Sequence, residues 1–273
     1  MSSKPHILLC NDDGIHAPGL YHLWRALRTI ADITIVAPST EQSGKSVSNT
    51  FFRPLQIEKV RWEENTPAHA VNGTPADCIK MALSVILKSP PDLIVSGINA
   101  GSNAGRNVLY SGTVGAVIEG TMRGVKGVAV SCLNFDTPRF EVAEKYIALV
   151  IQYVLTTPFP KGTFLNINFP DAEEIEGFKF ARQGNSYCVE DPDTRTHPTG
   201  RKYYWLGGKH VMLEEHHDSD IELLSQGYMT AVPIHIADLT DKHLLASHRD
   251  PFEKLFQKSP KKAECFSGTS CCL

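Results

Sequence analysis

The sequence lacks several features that mark common classes of protein. No apolar run approaches the roughly 18 residues that a membrane-spanning helix needs. Residues 1–6 are followed by only four apolar residues, too few for the core of a signal peptide. The formal net charge is −3 with both signs mixed along the chain, which gives no reason to expect a nucleic-acid-binding surface. We therefore expect a cytoplasmic protein that binds neither a membrane nor a nucleic-acid duplex.

The common cofactor motifs are absent as well. Cysteine occurs seven times but never as a Cys-x-x-Cys pair, so the usual zinc motifs are excluded. No Gly-x-Gly-x-x-Gly fingerprint for a dinucleotide is present. Gly44-Lys45-Ser46 resembles the end of a P-loop, but Ser39 stands where the first glycine is required and no helix obviously follows. The sequence predicts neither a zinc cluster nor these two nucleotide sites.

Strand-like and helix-like segments alternate through residues 1–170. This alternation is typical of an α/β fold, and we predict a three-layer, Rossmann-like, doubly wound and mainly parallel sheet. The predicted strands are Ile7–Cys10, Ile33–Ala37, Asp92–Ser96, Gly127–Cys132 and Thr163–Asn168, and the predicted helices are Leu20–Ile30, Pro75–Lys88, Val114–Arg123 and Phe140–Leu155.

The pattern breaks up after residue 170. Residues 171–259 are predicted to form a smaller, irregular C-terminal region with a β-hairpin excursion, a late strand at Tyr228–His235 and a closing helix at Asp241–Phe256. Residues 260–273 read as a flexible tail. We thus divide the chain into a core, a C-terminal region and a tail.

Polar residues follow the first strand at the point where it ends. Ligands of open α/β sheets bind beyond the carboxyl ends of the strands, so Asp12 and Asp13 are candidates for a metal site. Gly14 permits the sharp turn that would let both carboxylates converge on one cation. The same residues would equally suit an ordinary turn or a helix cap.

A glycine-rich loop follows the strand that ends at Ser96. It runs from Gly97 to Gly105 among asparagine and serine, and Ser111-Gly112-Thr113 then begins a helix. Glycines let the backbone approach a ligand, and a helix N-terminus attracts anions. This arrangement predicts an oxyanion site. The hydroxyl-rich loop over residues 38–49 could add a neutral oxygen ligand at the same edge.

Two other polar clusters are better explained by structural roles than by catalysis or metal binding. Thr74, Pro75 and Asp77 suit the start of a helix as its cap, first residue and first-turn carboxylate. Residues 216–220, His-His-Asp-Ser-Asp, could bind a metal, but a solvated loop is the commoner meaning of such a cluster. We assign neither to the predicted site.

Several stretches together have the order and spacing found in one protein family. They are Asn11-Asp12-Asp13-Gly14, Ala37-Pro38 with Gln42-Ser43-Gly44, Gly73-Thr74-Pro75-Ala76-Asp77-Cys78, and Ser96-Gly97-Ile98-Asn99 continuing through Gly101, Asn103 and Gly105 to Tyr110-Ser111-Gly112-Thr113-Val114 and Glu119-Gly120. Over roughly residues 5–240 the chain resembles the SurE (survival protein E) nucleotidases. The resemblance is strongest in the first half.

This resemblance implies a metal-dependent phosphomonoesterase acting on nucleoside 5′- and 3′-monophosphates, with short polyphosphate as a further substrate. It places the metal ligands on Asp12, Asp13, Ser43 and Asn99, a hard oxygen set that suits one divalent cation per subunit, Mg²⁺ or Mn²⁺. It also suggests His235 as a general acid or positioning residue, although a core histidine would explain that position equally well.

The resemblance further implies how the phosphate is held. Asp12, Asp13, Asn99 and His235 are the expected catalytic residues. The expected substrate- and phosphate-binding residues are Asn11, Gly44, Asn103, Ser111, Gly112 and Thr113. Attack by a metal-activated water and attack by one aspartate, through a phospho-aspartate intermediate, both remain open.

The resemblance also predicts a homodimer or homotetramer in which the region after residue 170 reaches a neighbouring subunit. The alternative function from another class is a regulator that binds a nucleotide or phosphate without turning it over. That alternative would need a missing metal ligand or phosphate loop, and none is missing from the sequence.

Overall fold

A computed structural model describes residues 4–189 and 191–257 of the chain. The strands are β1 (His6–Cys10), β2 (Asp32–Pro38), β3 (Ile57–Val60), β4 (Ala68–Val71), β5 (Leu93–Ala100), β6 (Lys126–Cys132), β7 (Thr163–Phe169), β8 (Gly177–Phe180), β9 (Tyr187–Val189), β10 (Asp193–Thr196), β11 (Lys202–Trp205), β12 (Lys209–Val211) and β13 (Tyr228–His235). The α-helices are α1 (Pro18–Leu27), α2 (Pro75–Met81), α3 (Gly112–Met122), α4 (Phe140–Thr156), α5 (Asp220–Ser225) and α6 (Lys242–Gln257).

Nine of these strands form one sheet in the order β3-β4-β2-β1-β5-β6-β7-β13-β8. The six strands from β4 to β7 in this order are parallel to their neighbours, whereas β3 and β13 run antiparallel to β4 and β7. The mainly parallel, doubly wound α/β sheet predicted from the sequence is therefore confirmed.

Strand β1 lies inside the sheet, and its side chains serve both faces. Ile7 and Leu9 pack in the same core cluster as residues of α1 and α4. Leu8 and Cys10 point the other way and pack with residues of α2 and α3. All four side chains are fully buried. Burial of a side chain such as Leu is worth about 1.5–3 kcal/mol, so this core holds the end of β1 firmly in place.

Helix α2 begins with the cap that the sequence predicts. The Thr74 hydroxyl accepts a hydrogen bond from the Asp77 backbone N–H at 3.1 Å, and the Asp77 carboxylate accepts one from the Thr74 N–H at 2.9 Å. The helix was predicted to run to Lys88, but the α-helical part ends at Met81 and a π-helical turn, Ala82–Ile86, follows. The chain is extended at Leu87, shortly before Pro90 and Pro91, which cannot continue a helix.

The region after residue 170 contributes to the main sheet and also leaves it. Strands β8 and β13 pair in parallel at the sheet's edge. Between them, β9 pairs with β12 and β10 pairs with β11, both antiparallel, which confirms the predicted hairpin excursion. Its aromatic residues are largely exposed, with Tyr204 and Trp205 each 62% accessible.

The chain divides into two compact units, the first ending at Ala237 and the second beginning at Asp238. The first contains the sheet. In the second, the predicted closing helix is present as α6. The predicted tail, residues 260–273, lies outside the described residues. No helix in the described ranges is long and apolar enough to cross a membrane. The cytoplasmic location stays a prediction.

Candidate metal and phosphate site

The turn after β1 is closed by Asn11. Its side-chain Nδ2 donates to the Gly14 carbonyl at 2.9 Å, and its Oδ1 accepts from the Gly14 N–H at 3.3 Å. Gly14 has a φ of 106°, a conformation that favours glycine. Asn11 is fully buried. Both ends of its amide are thus engaged within the turn, so Asn11 fixes the backbone that carries Asp12 and Asp13. Its contact with a phosphate stays a prediction.

Asp12 lies at the floor of the site and is only 4% exposed. Burial raises the pKa of its carboxyl group, and hydrogen bonds from Thr113 oppose that rise. The Thr113 hydroxyl donates to Asp12 Oδ1. These hydroxyl and backbone donors fix the orientation of the buried carboxylate, which could offer an oxygen to a cation in the cleft.

Asp13 is the second carboxylate. Burial, followed by the negative charges of Asp12 and Glu41, raises its pKa to about 7. The Ala100 backbone N–H donates weakly to its Oδ2, at 3.4 Å. Within the described ranges, no ion pair with lysine, arginine or histidine includes either aspartate. Two crowded carboxylates without a counter-charge favour a hard divalent cation.

This crowding predicts how stability depends on pH. A carboxyl group whose pKa is raised by folding contributes stability below its unfolded pKa, and that contribution is lost as the pH rises through the folded value. We therefore expect Asp13→Asn to raise the melting temperature of the metal-free protein at pH 8 and to leave it unchanged near pH 4. Thermal melts in chelator across this range test the prediction, with exposed Asp32→Asn as the control. An Asp13→Asn difference that is the same at every pH would contradict it.

The loop after β2 reaches the same place. The Gln42 backbone N–H donates to the Asp12 carbonyl at 2.7 Å, which ties the loop to the turn after β1. Ser43 follows directly, and its hydroxyl donates to Glu41 Oε1 at 2.8 Å. The hydroxyl oxygen keeps lone pairs through which it could bind a cation. The predicted neutral ligand is thus brought beside Asp12.

Asn99 lies at the end of β5 and is 9% exposed. Its Nδ2 donates to the Gly101 carbonyl at 2.7 Å, so Oδ1 is the atom that this amide could offer a cation. Carboxylate, hydroxyl and amide oxygens from three neighbouring strands therefore come together at one edge of the sheet, as the sequence predicts.

The start of α3 packs directly on Asp12. Ser111 caps this helix, its Oγ accepting from the Val114 N–H at 3.1 Å. A Cβ placed on Gly112 would lie 2.8 Å from the Cβ and Oδ2 of Asp12. Backbone N–H groups of Gly112 and Thr113 lower the pKa of that carboxyl. Gly112 and Thr113, which the sequence predicts to bind phosphate, thus contact the Asp12 carboxylate in this structure.

Asn103 belongs to a buried network of polar side chains. Its Nδ2 donates to Ser131 Oγ at 2.7 Å, its backbone N–H donates to Asn168 Oδ1 at 2.9 Å, and its carbonyl accepts from Asn166 Nδ2 at 2.9 Å. Ser131, Asn166 and Asn168 are not among the site residues predicted from the sequence. The signal was available, because asparagine at alternate positions in the Thr163–Phe169 strand is unusual on a buried surface.

These elements surround an open cleft with a volume of about 320 Å³. Six of the residues that line the cleft belong to the site predicted from the sequence: Asp12, Ser43, Gly44, Asn99, Asn103 and Ser111. The remaining lining residues are Ala100, Gly101, Ser102, Asn107, Tyr110, Phe135 and Cys188. Most of the predicted site residues are thus brought together. The volume is at the lower end of the range for small-molecule sites.

His235 is not part of this cleft. Strand β13 runs antiparallel to β7, so His235 pairs with Thr163 at the amino end of that strand, whereas the cleft lies at the carboxyl ends. Its Nδ1 is 2.9 Å from the Thr163 hydroxyl, and the residue is exposed. The structure therefore supports neither a core histidine nor a general acid within the same chain.

A second group of metal-ligating side chains lies elsewhere. His216, His217 and Asp218 have their ligand atoms within 4.8 Å of one another, and both histidines are exposed. His216 Nδ1 is 2.5 Å from Asp218 Oδ1, and Arg182 lies 3.5 Å from the same oxygen. The guanidinium beside that carboxylate disfavours a cation, in keeping with the predicted solvated loop.

Known proteins share this sequence and fold. A family profile described as "Survival protein SurE" matches residues 7–190. A 5′-nucleotidase SurE of Protochlamydia amoebophila is 49% identical over 257 residues, covering 93% of this chain and 98% of that protein. One of the same name from Heliobacterium modesticaldum is 42% identical over 248 residues, covering 89% and 90%.

A solved structure agrees with the sequence matches. The crystal structure of the SurE protein from Aquifex aeolicus superposes with a TM-score of 0.78 at 34% sequence identity, covering 91% of this chain and all of that one. The profile spans most of the chain, including the strand ends that carry Asp12, Ser43 and Asn99. The chain belongs to the SurE family.

Proposed function

We propose that this protein is a 5′-nucleotidase that hydrolyses nucleoside monophosphates to nucleoside and phosphate with the help of a divalent cation. The observation that carries the proposal is the convergence of Asp12, Ser43 and Asn99 in one cleft beside the start of α3. Asp13 is not among the residues that line this cleft, but it directly follows Asp12, and its carboxylate accepts from the backbone N–H of Ala100, which lines it. Relatives that align over nearly their whole length are named as 5′-nucleotidases.

The residues present fit a divalent cation. Two carboxylates with raised pKa values and no ion-pair partner in the described ranges supply the charge, and the oxygens of Ser43 and Asn99 complete a hard donor set. When bound, such a cation supplies charge neutralisation of the phosphate and lowers the pKa of the attacking water. We infer one Mg²⁺ or Mn²⁺ per subunit.

The chain's own residues orient the reaction. Thr113 and the turn at Asn11 hold the Asp12 carboxylate in a single direction. Ser111, whose Oγ caps α3, lines the cleft at the positive end of that helix's dipole, where negative charge on a phosphate is stabilised. Gly44 and Asn103 complete the wall on which the phosphate oxygens would rest. Such fixed donors stabilise charge that develops during phosphoryl transfer.

Two finer properties are part of the proposal. We infer that 3′-monophosphates and short polyphosphates are also accepted, because the cleft is open and a terminal phosphate is what its polar floor recognises. We also propose a homodimer or homotetramer formed through the region after residue 170. Its hairpin exposes Tyr203, Tyr204, Trp205 and Leu206, a set of apolar side chains that a partner subunit would cover.

A substrate panel tests the function. Phosphate release is measured from nucleoside 5′- and 3′-monophosphates, short polyphosphate and p-nitrophenyl phosphate, each with Mg²⁺, Mn²⁺ or chelator. We expect release from nucleoside 5′-monophosphates that stops in chelator and returns when the cation is restored. Folded protein that binds the cation and a nucleotide but releases no phosphate would support the regulator instead.

A further inference from the structure

Two large aromatic side chains line the candidate cleft and remain exposed. Phe135 is 66% accessible and Tyr110 is 63% accessible. Within the described ranges, no other aromatic ring packs on either of them. Exposed aromatic surface is costly to leave in water, and in a cleft it marks the place where an apolar or planar ligand group binds.

Phe135 lies beside the proposed cation ligands. A Cβ built on Gly101 would be 3.3 Å from Phe135 Cδ2 and 4.0 Å from Asn99 Nδ2, so the ring and this amide flank the same glycine. Gly101 has a φ of 100°, which favours glycine and leaves no side chain between them. The Phe135 ring therefore lies close to Asn99, one of the proposed cation ligands.

Tyr110 lines the same cleft. It directly precedes Ser111, and its carbonyl accepts from the Ser46 N–H at 3.0 Å, which links it to the loop that carries Ser43. Asn107 also lines the cleft, and its Oδ1 accepts from the Cys188 N–H at 3.1 Å. The cleft thus combines a polar floor with aromatic and amide groups on its sides.

We propose that Phe135, with Tyr110, forms a stacking surface for the nucleobase, so that the enzyme favours nucleotides over phosphomonoesters that lack a base. This inference rests on the proposed function and names what selects its substrates. In this arrangement the ribose would lie between the phosphate, on the polar floor of the cleft, and the base, on the aromatic rings. Every base has a flat π-face, so stacking on these rings tolerates different bases.

Kinetics on two substrates test the proposal. The value of kcat/KM is measured for AMP and for ribose 5-phosphate, which has the same phosphate and sugar without the base. For Phe135→Ala we expect a fall of roughly 5- to 100-fold on AMP, mostly through KM, with a much smaller change on ribose 5-phosphate. Phe135→Trp, which keeps an aromatic ring, should have a kcat/KM on AMP close to that of the wild type. Tyr153→Ala, on the exposed part of α4, is the matched control and should alter neither substrate.

Binding of adenosine, measured by titration calorimetry, gives a readout that needs no turnover. We expect Phe135→Ala to weaken it at least 5-fold. Equal losses on AMP and ribose 5-phosphate, or unchanged adenosine binding, would overturn the stacking role while leaving the nucleotidase in place. If the wild-type protein hydrolyses neither substrate, the proposed function fails, and adenosine binding alone then decides whether Phe135 contacts a base.

Discussion

Asp12→Asn is expected to reduce cation-dependent phosphate release by on the order of 10³-fold or more. Asp12 is buried at the floor of the cleft and accepts a hydrogen bond from Thr113. The amide is nearly the same size and keeps an acceptor for Thr113, but it removes the negative charge that would hold the cation. Phosphate release from AMP with saturating Mn²⁺, for variant and wild type, is the measurement.

The variant should remain folded. Burial raises the pKa of Asp12, so its ionised form is disfavoured in the metal-free protein, and replacing it with a neutral group should not lower the melting temperature at pH 8. Asp77→Asn is the matched control, since Asp77 is also a buried aspartate but serves the cap of α2. We expect that control to lose stability and to keep its cation dependence. Full activity of folded Asp12→Asn would contradict the assignment.

Gly112→Ala is expected to lower kcat by roughly 100-fold, without unfolding the protein, because it displaces Asp12. The new Cβ would lie 2.8 Å from the Cβ and Oδ2 of Asp12, so the turn after β1 or the start of α3 must move. Alanine is favoured over glycine inside a helix, which offsets part of the strain on stability. Single-turnover rates and thermal melts separate the two effects.

Gly208→Ala is the control for that change, because a Cβ there meets no atom within 4 Å. It should leave both rate and melting temperature near wild type. A Gly112→Ala protein with the wild-type rate would mean that the close approach of α3 to Asp12 does not matter for the reaction. A Gly112→Ala protein that does not fold would show that the contact between α3 and Asp12 is required for folding.

The sequence predicts most of the sheet because its signals are local. Four consecutive apolar residues before Asn11 indicate a buried strand, and polar residues that follow three such strands indicate the edge where ligands bind. Asp12, Ser43 and Asn99 could therefore be placed together before the structure was known. This part of the prediction needs only the direction of the strands.

Other features depend on contacts between distant segments. Gly112 and Thr113 support Asp12 only because α3 approaches β1 closely, and no local pattern shows this. His235 lies far from the carboxyl ends of the parallel strands because β13 runs antiparallel to β7. The residue pattern of β13 predicts a strand but does not show its direction. The role inferred for Phe135 likewise depends on the fold, since the loop after β6 carries it to Gly101.

The most direct test of the account is a crystal structure with Mn²⁺ and AMP, in which anomalous scattering locates the cation. We predict a single strong peak in the cleft, bound by Asp12 and Asp13 with oxygens of Ser43 and Asn99, and the phosphate beside it at the start of α3. A cation bound only at His216, His217 and Asp218, or no cation near Asp12, would contradict the central claim that this cleft is the metal centre.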